Sequence, residues 1–140
     1  PQSLAGLISR QALNRLDGPQ IDRLVRLSWR ALQPGGTLIL ETANPVSLVV
    51  AARSFWTDPE PRRPLHPETL VVLFQQAGFE PVESVGLSPF APEERLPDFT
   101  FEDLPVEQRQ LADRFSKVRD QLDDLLFGNQ ACAVVGKKPA

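Results

Sequence analysis

One cysteine and one histidine in 140 residues leave this chain little from which to build a metal or redox centre. Cys132 alone cannot close an internal disulfide, and no cysteine-based zinc cluster can form around it. That thiol economy fits a reducing compartment, and cytoplasmic residence is the expectation. Long apolar runs are also lacking: none approaches the ~20 residues that a membrane-spanning helix needs. Residues 1–10 contain no basic stretch leading into an apolar one, so no secretory leader is expected there. Nor is there an excess of basic charge. Fifteen basic and eighteen acidic residues leave a formal net charge of -3, which gives no electrostatic footprint for nucleic acid.

What remains is ordinary for one globular domain: 41% hydrophobic and 24% charged residues, in a chain long enough to bury a core unaided. Fourteen prolines are the exception. They cluster in 59–67 and 81–105, where interspersed aromatic and aliphatic residues point to long ordered loops.

Periodicity then divides the chain. Leu4–Ile8 is a short apolar run expected to be a buried strand. Asp17-Gly18-Pro19 supplies a cap and a first-turn proline, and Ile21, Leu24, Val25, Ser28 and Leu32 follow at helical spacing. Pro34-Gly35-Gly36 is expected to stop that helix, and Thr37–Thr42 reads as a strand covered on both faces. A short helix is expected within 47–55, then an irregular loop over 58–67. Pro67-Glu68-Thr69 opens a helix with Leu70, Leu73, Phe74 and Ala77 as its buried stripe, and Gly78 ends it. Residues 79–87 read as a strand and 88–105 as a loop. Val106–Phe127 reads as a long helix whose Leu111, Phe115, Val118, Leu122 and Leu125 repeat every four and three residues. That stripe is expected to pack on the domain's own sheet, a dimer seam being the alternative. A last strand at Ala131–Val135 would hold Cys132 as an inert core thiol, with a solvated tail from Gly136 to Ala140. Strands alternating with helices define an α/β class.

Several stretches together resemble those of one family. The stretch Ala31-Leu32-Gln33-Pro34-Gly35-Gly36-Thr37-Leu38-Ile39-Leu40-Glu41-Thr42 resembles the helix-to-fifth-strand segment of class I S-adenosylmethionine-dependent methyltransferases. So do Asn44-Pro45, Asp58-Pro59 and Arg63-Pro64-Leu65-His66-Pro67-Glu68, the loop of a bacterial subgroup. Ala77-Gly78-Phe79 with Val82-Glu83, and Leu126-Phe127-Gly128-Asn129-Gln130 with Ala133-Val134-Val135, are similar to its later junctions. The resemblance runs from about Ser3 to Pro139. It implies a Rossmann-like sheet of which residues 1–140 form a single partial domain. They would supply strands 4, 5, 7 and 6 of the family's order, the last in sequence antiparallel, with helices on both sides. The Gly-rich loop and the ribose-binding acidic residue of that family belong to strands that this chain does not contain. No GxGxG occurs in it, so this chain alone is expected not to bind S-adenosylmethionine appreciably.

Ligands of open α/β sheets lie beyond the carboxyl ends of the strands. Asn14 and Arg15 stand where the resemblance implies a Glu-His pair; a polar surface loop is the plain alternative. Glu41, Thr42 and Asn44 would point into an acceptor cleft, unless Asn44-Pro45 simply starts a turn. His66 is the candidate general base, or else the cap of the helix that begins at Pro67. Arg62 and Arg63 could hold a phosphate or carboxylate of the acceptor, or pair with Asp58 or Glu68. Glu60-Pro61 replaces a histidine that the resemblance implies in this loop. The expected activity is methyl transfer to a small-molecule or glycan acceptor. A degenerate, non-catalytic module, or an element that homodimerises or pairs through its first strand, is the alternative.

Overall fold

A computed structural model describes residues 2–57, 63–98 and 105–140. The readings placed on Asp58, Pro59, Glu60-Pro61 and Arg62 therefore lie outside the described residues. Among the described residues four strands form one sheet: β1 (Leu4–Arg10), β2 (Leu32–Ala43), β3 (Val82–Leu87) and β4 (Ala131–Lys137), in spatial order β1-β2-β4-β3. β1 runs parallel to β2, and β4 runs antiparallel to both of its neighbours. This is the expected α/β sheet with an antiparallel last strand.

Helix α1 (Gly18–Ala31) starts at a reciprocal cap. Asp17 Oδ1 accepts from the Gln20 amide at 2.8 Å, and Gln20 Oε1 accepts from the Asp17 amide at 2.9 Å. Its inward stripe buries Ile21, Val25 and Ser28. The short helix α2 (Leu48–Ala52) follows β2. Helix α3 (Pro67–Ala77) buries Leu70 and Phe74 and stops where Gly78 adopts φ +99°, a left-handed turn that a side chain would strain. α1 and α3 share one core with Leu38, Leu40 and Val134, so they pack side by side on the same sheet face. Helices flank the sheet as expected, and the second face is covered in part, with Ala131 and Ala133 of β4 buried there. On the second face Ile8, Ile39, Val135 and Glu83 stand in one row across the sheet, and Ile8 is 61% exposed.

Four expectations are corrected. Leu4–Ile8 is not a buried strand: among the described residues β1 pairs only with β2, at the edge of the sheet, and its residues are mostly exposed. Pro34-Gly35-Gly36 does not end α1; the helix yields to β2 at Leu32, and the three residues lie inside the strand beside a register shift, with Gly35 at φ +75°. The chain end is not simply a solvated tail. β4 continues to Lys137, and the buried Lys138 ammonium donates to Trp29 O and Leu32 O, both at 2.8 Å, while lying 4.1 Å from the Trp29 ring centroid. It thereby satisfies carbonyls that the end of α1 leaves open.

The last correction concerns α4 (Val106–Leu126), whose apolar stripe does not pack on the sheet. Its Leu111, Phe115, Val118, Leu122 and Leu125 are 46–58% exposed. The face turned to the body is polar instead: Asp123 is buried there, accepting from Arg95 Nε at 2.7 Å and the Leu96 amide at 2.9 Å. Ser47 Oγ, just before α2, donates to Leu126 O at 3.0 Å, and Phe90 meets Phe127 edge-on at 5.5 Å.

Candidate acceptor cleft

Because β1 and β2 are parallel and in register, their carboxyl ends emerge together, with Arg10 opposite Glu41. A cleft of about 550 Å³ opens at these ends. Arg10, Gln11, Asn14, Arg15 and Glu41 line its polar side, and Val50 and Phe55, brought by α2 and the turn after it, form an apolar wall. Ser88, directly after β3, and Gln130, directly before β4, complete the rim; the Gln130 amide donates to Ser88 O at 3.0 Å.

Glu41 organises the polar side. Its Oε2 accepts from Arg10 Nε at 2.8 Å and its Oε1 from Gln11 Nε2 at 3.3 Å, while the Gln11 amide donates to Glu41 O at 3.0 Å. The Arg10 hydrogen bond holds the Glu41 carboxyl below its ordinary range, reinforced by Gln11 and opposed by partial burial. Glu41 therefore stays anionic at neutral pH. It can orient a donor or a cation, but it is poorly suited to relaying protons. Two rim residues, Gln11 and Ser88, have φ of 54° and 55°, a region that non-glycine residues seldom occupy outside tight turns and ligand sites. Asn14 is 9% exposed, and its Oδ1 has no hydrogen-bond partner among the described residues.

No protein-family profile matches the chain, and no curated protein matches it. Solved structures do. A S-adenosylmethionine-dependent methyltransferase of Archaeoglobus fulgidus superposes with TM-score 0.88 at 24% identity over 96% of this chain and 59% of its own. A Thermotoga maritima S-adenosylmethionine-dependent methyltransferase gives 0.58 at 18% identity over 98% and 56%. The Haemonchus contortus phosphoethanolamine N-methyltransferase 2, in complex with S-adenosylmethionine, gives 0.58 at 16% identity over 100% and 34%. The fold is that of the S-adenosylmethionine-dependent methyltransferases. This chain spans about three fifths or less of the length of each of these three structures.

Within that methyltransferase fold the residues singled out from sequence separate. Asn14, Arg15 and Glu41 come together at the cleft. Thr42 does not: strand alternation turns it to the face opposite Glu41, and it is buried. Asn44 is also turned away, its Nδ2 donating to Asn129 O at 2.8 Å and its Oδ1 accepting from the Val46 amide at 3.1 Å, so it ties the end of β2 to the approach to β4. His66 caps α3, with Nδ1 accepting from the Glu68 amide at 3.3 Å. Arg63 is exposed near the start of α1, where its Nη2 would stand 3.0 Å from a Cβ on Gly18. Neither residue lines the cleft.

Sequence reasoning did not single out Arg10, Gln11, Phe55, Ser88 or Gln130. Arg10 and Ser88 carried a usable signal, since each ends or follows a strand on the ligand side of an α/β sheet. Gln130 carried none, because it precedes an antiparallel strand. Among the described residues no group of three or more His, Cys, Asp or Glu could hold a metal ion, and no helix is long and apolar enough to cross a membrane.

Proposed function

We propose that this chain is the acceptor-side, C-terminal part of a methyltransferase domain. It would hold a hydroxyl-bearing small molecule or glycan for methylation in the cleft at Arg10–Arg15 and Glu41. The observation that carries this reading is the position of the cleft: it sits at the carboxyl ends of β1 and β2, beside the unpaired edge of β1. A further parallel strand on that edge would bring its own carboxyl end to the same cleft. The chain's own residues do not fit S-adenosylmethionine. The turns after β1 and β2 read Gln11-Ala12-Leu13 and Asn44-Pro45, with no glycine that would let backbone approach a nucleoside. The methyl donor belongs to strands outside this chain, and only acceptor handling falls to these residues.

That handling is positional. Glu41, kept anionic by Arg10, accepts from an acceptor hydroxyl; Asn14 offers an amide on the same side; Val50 and Phe55 exclude water from one wall. Orientation and water exclusion are the main demands of methyl transfer from a sulfonium, which needs no strong base. Cytoplasmic residence accords with this reading.

One observation favours a second reading, a non-catalytic binding module. Asn14 and Arg15 stand where a Glu-His pair is implied by resemblance, leaving the cleft without a group suited to proton transfer.

Titration calorimetry with S-adenosylmethionine separates the cases. This chain alone should give no heat of binding, whereas a longer chain carrying the preceding strands should bind stoichiometrically. Tight binding by residues 1–140 refutes the division of labour. Silence from the longer chain refutes the catalytic reading and leaves the module.

A further inference from the structure

What the cleft demands of an acceptor follows from which of its polar groups still have hydrogen-bonding capacity. Glu41 has little left. Only 12% of its side chain is exposed, and its Oε2 and Oε1 already accept from Arg10 and Gln11. Arg10 is the reverse. Its side chain is 70% exposed, and among the described residues it donates through Nε alone. The outer edge of the guanidinium therefore keeps its Nη donors, and a guanidinium has no acceptor to offer a ligand. Nor is this arm loose. The β1–β2 register sets Arg10 opposite Glu41, and the Nε bond at 2.8 Å fixes the guanidinium beside the cleft. A planar fork held in this way matches the paired oxygens of a carboxylate or a phosphate. Arg15 lines the same side, so among the described residues the lining carries two guanidiniums against one carboxylate. Asn14 has a different need: it is 9% exposed, lines the same cleft, and its Oδ1 lacks a donor. A hydroxyl both donates and accepts, so it satisfies the amide whichever end of it is presented.

We propose that the acceptor is an anionic, hydroxyl-bearing molecule of about monosaccharide size. The outer edge of Arg10 grips its carboxylate or phosphate, and a neighbouring hydroxyl meets Asn14. This rests on the acceptor-cleft reading and narrows it, from any hydroxyl compound to a hydroxy acid or a sugar phosphate. A neutral sugar leaves the Nη donors of Arg10 to water. A sugar bearing an ammonium group fares worse, because it faces two guanidiniums while both oxygens of Glu41 are already engaged. The cleft of about 550 Å³ has room for one sugar ring with its anionic group.

Amide NMR on the intact, nitrogen-15-labelled chain tests it with four probes: glucuronate, glucose 6-phosphate, glucose and glucosamine. Each is titrated to about 50 mM at constant ionic strength, which keeps screening equal across the series. The two anionic sugars should shift the amides of Gln11, Asn14 and Glu41 and bind at least about tenfold more tightly than glucose. Whichever of the two binds more tightly identifies the anion as carboxylate or phosphate. Arg10→Met should reduce both to the level of glucose; Arg10 is largely exposed, so the fold tolerates the change. That variant also uncovers the Glu41 charge, and Arg10→Met with Glu41→Gln removes this ambiguity: the preference for anions should stay lost. Glucose binding as tightly as the anionic sugars, tighter binding by glucosamine, or an anion preference that survives either variant overturns the inference and leaves the acceptor cleft standing. If none of the four sugars shifts the cleft amides, the acceptor reading itself falls, and this inference with it.

Discussion

Gly136 is the position where packing and local propensity make opposite forecasts. Glycine inside a strand costs about 0.5–1 kcal/mol relative to alanine, so propensity alone makes Gly136→Ala stabilising. The structure reverses the sign. An alanine Cβ at 136 would stand 2.3 Å from Phe74 Cδ1, 2.9 Å from Phe74 Cε1 and 3.0 Å from Phe79 Cβ. Carbon atoms in contact normally sit about 3.5–4.0 Å apart, so the Phe74 ring must move by more than an ångström. It has nowhere to go: Phe74 is fully buried, with its ring centroid 5.1 Å from that of Phe79. Overpacking of this kind costs about 1–3 kcal/mol, and three crowded atoms argue for about 2–3 kcal/mol net. For a chain of 140 residues an unfolding entropy of roughly 2.1 cal/mol/K per residue converts that to a fall in Tm of about 7–10 °C. Urea unfolding followed by circular dichroism, with a thermal scan, measures both quantities. A smaller residue at 74 should relieve the clash, so Gly136→Ala with Phe74→Leu should show a coupling of about 1 kcal/mol or more in a double-mutant cycle. An alanine variant as stable as the parent, or more so, would mean that the α3–β4 contact is not packed as described.

Three other outcomes follow from single groups. Lys138→Met keeps the aliphatic volume but leaves Trp29 O and Leu32 O without their donor, and should cost about 1–3 kcal/mol in urea unfolding, with the end of α1 losing amide protection first. Burial pushes the Cys132 thiol from its ordinary 9.0 up to about 11. Native alkylation should accordingly be at least about 100-fold slower than in urea, and the stability due to the neutral thiol should be present below pH 9 and lost as pH rises from there towards the folded value. Glu41 has the opposite sign: its lowered pKa contributes stability above the ordinary carboxyl value near 4.5, lost as pH falls through the folded value. Arg10→Met should bring the Glu41 titration, read by carboxyl carbon NMR, back towards that ordinary value.

Local chemistry was legible in the residues themselves. The Asp17 cap, the Gly78 stop and the α1 and α3 stripes rest on interactions within a few positions of one another, so spacing alone locates them, and the apolar runs located the four strands without saying how they pair. Asn14, Arg15 and Glu41 could be placed at a cleft for a similar reason, since the ends of parallel strands converge whatever else the chain does. What only the tertiary structure decided depends on which neighbour, or none, covers a given face. Leu4–Ile8 reads as a core strand because its residues are apolar, yet only pairing tells a central strand from an edge. The α4 stripe has the pattern of a buried face, but periodicity cannot say against what. His66 and Asn44 are chemically able to serve a site, and distance alone assigns them to a helix cap and a loop tie. Pattern reports that a surface must be covered; only the packed chain reports what covers it.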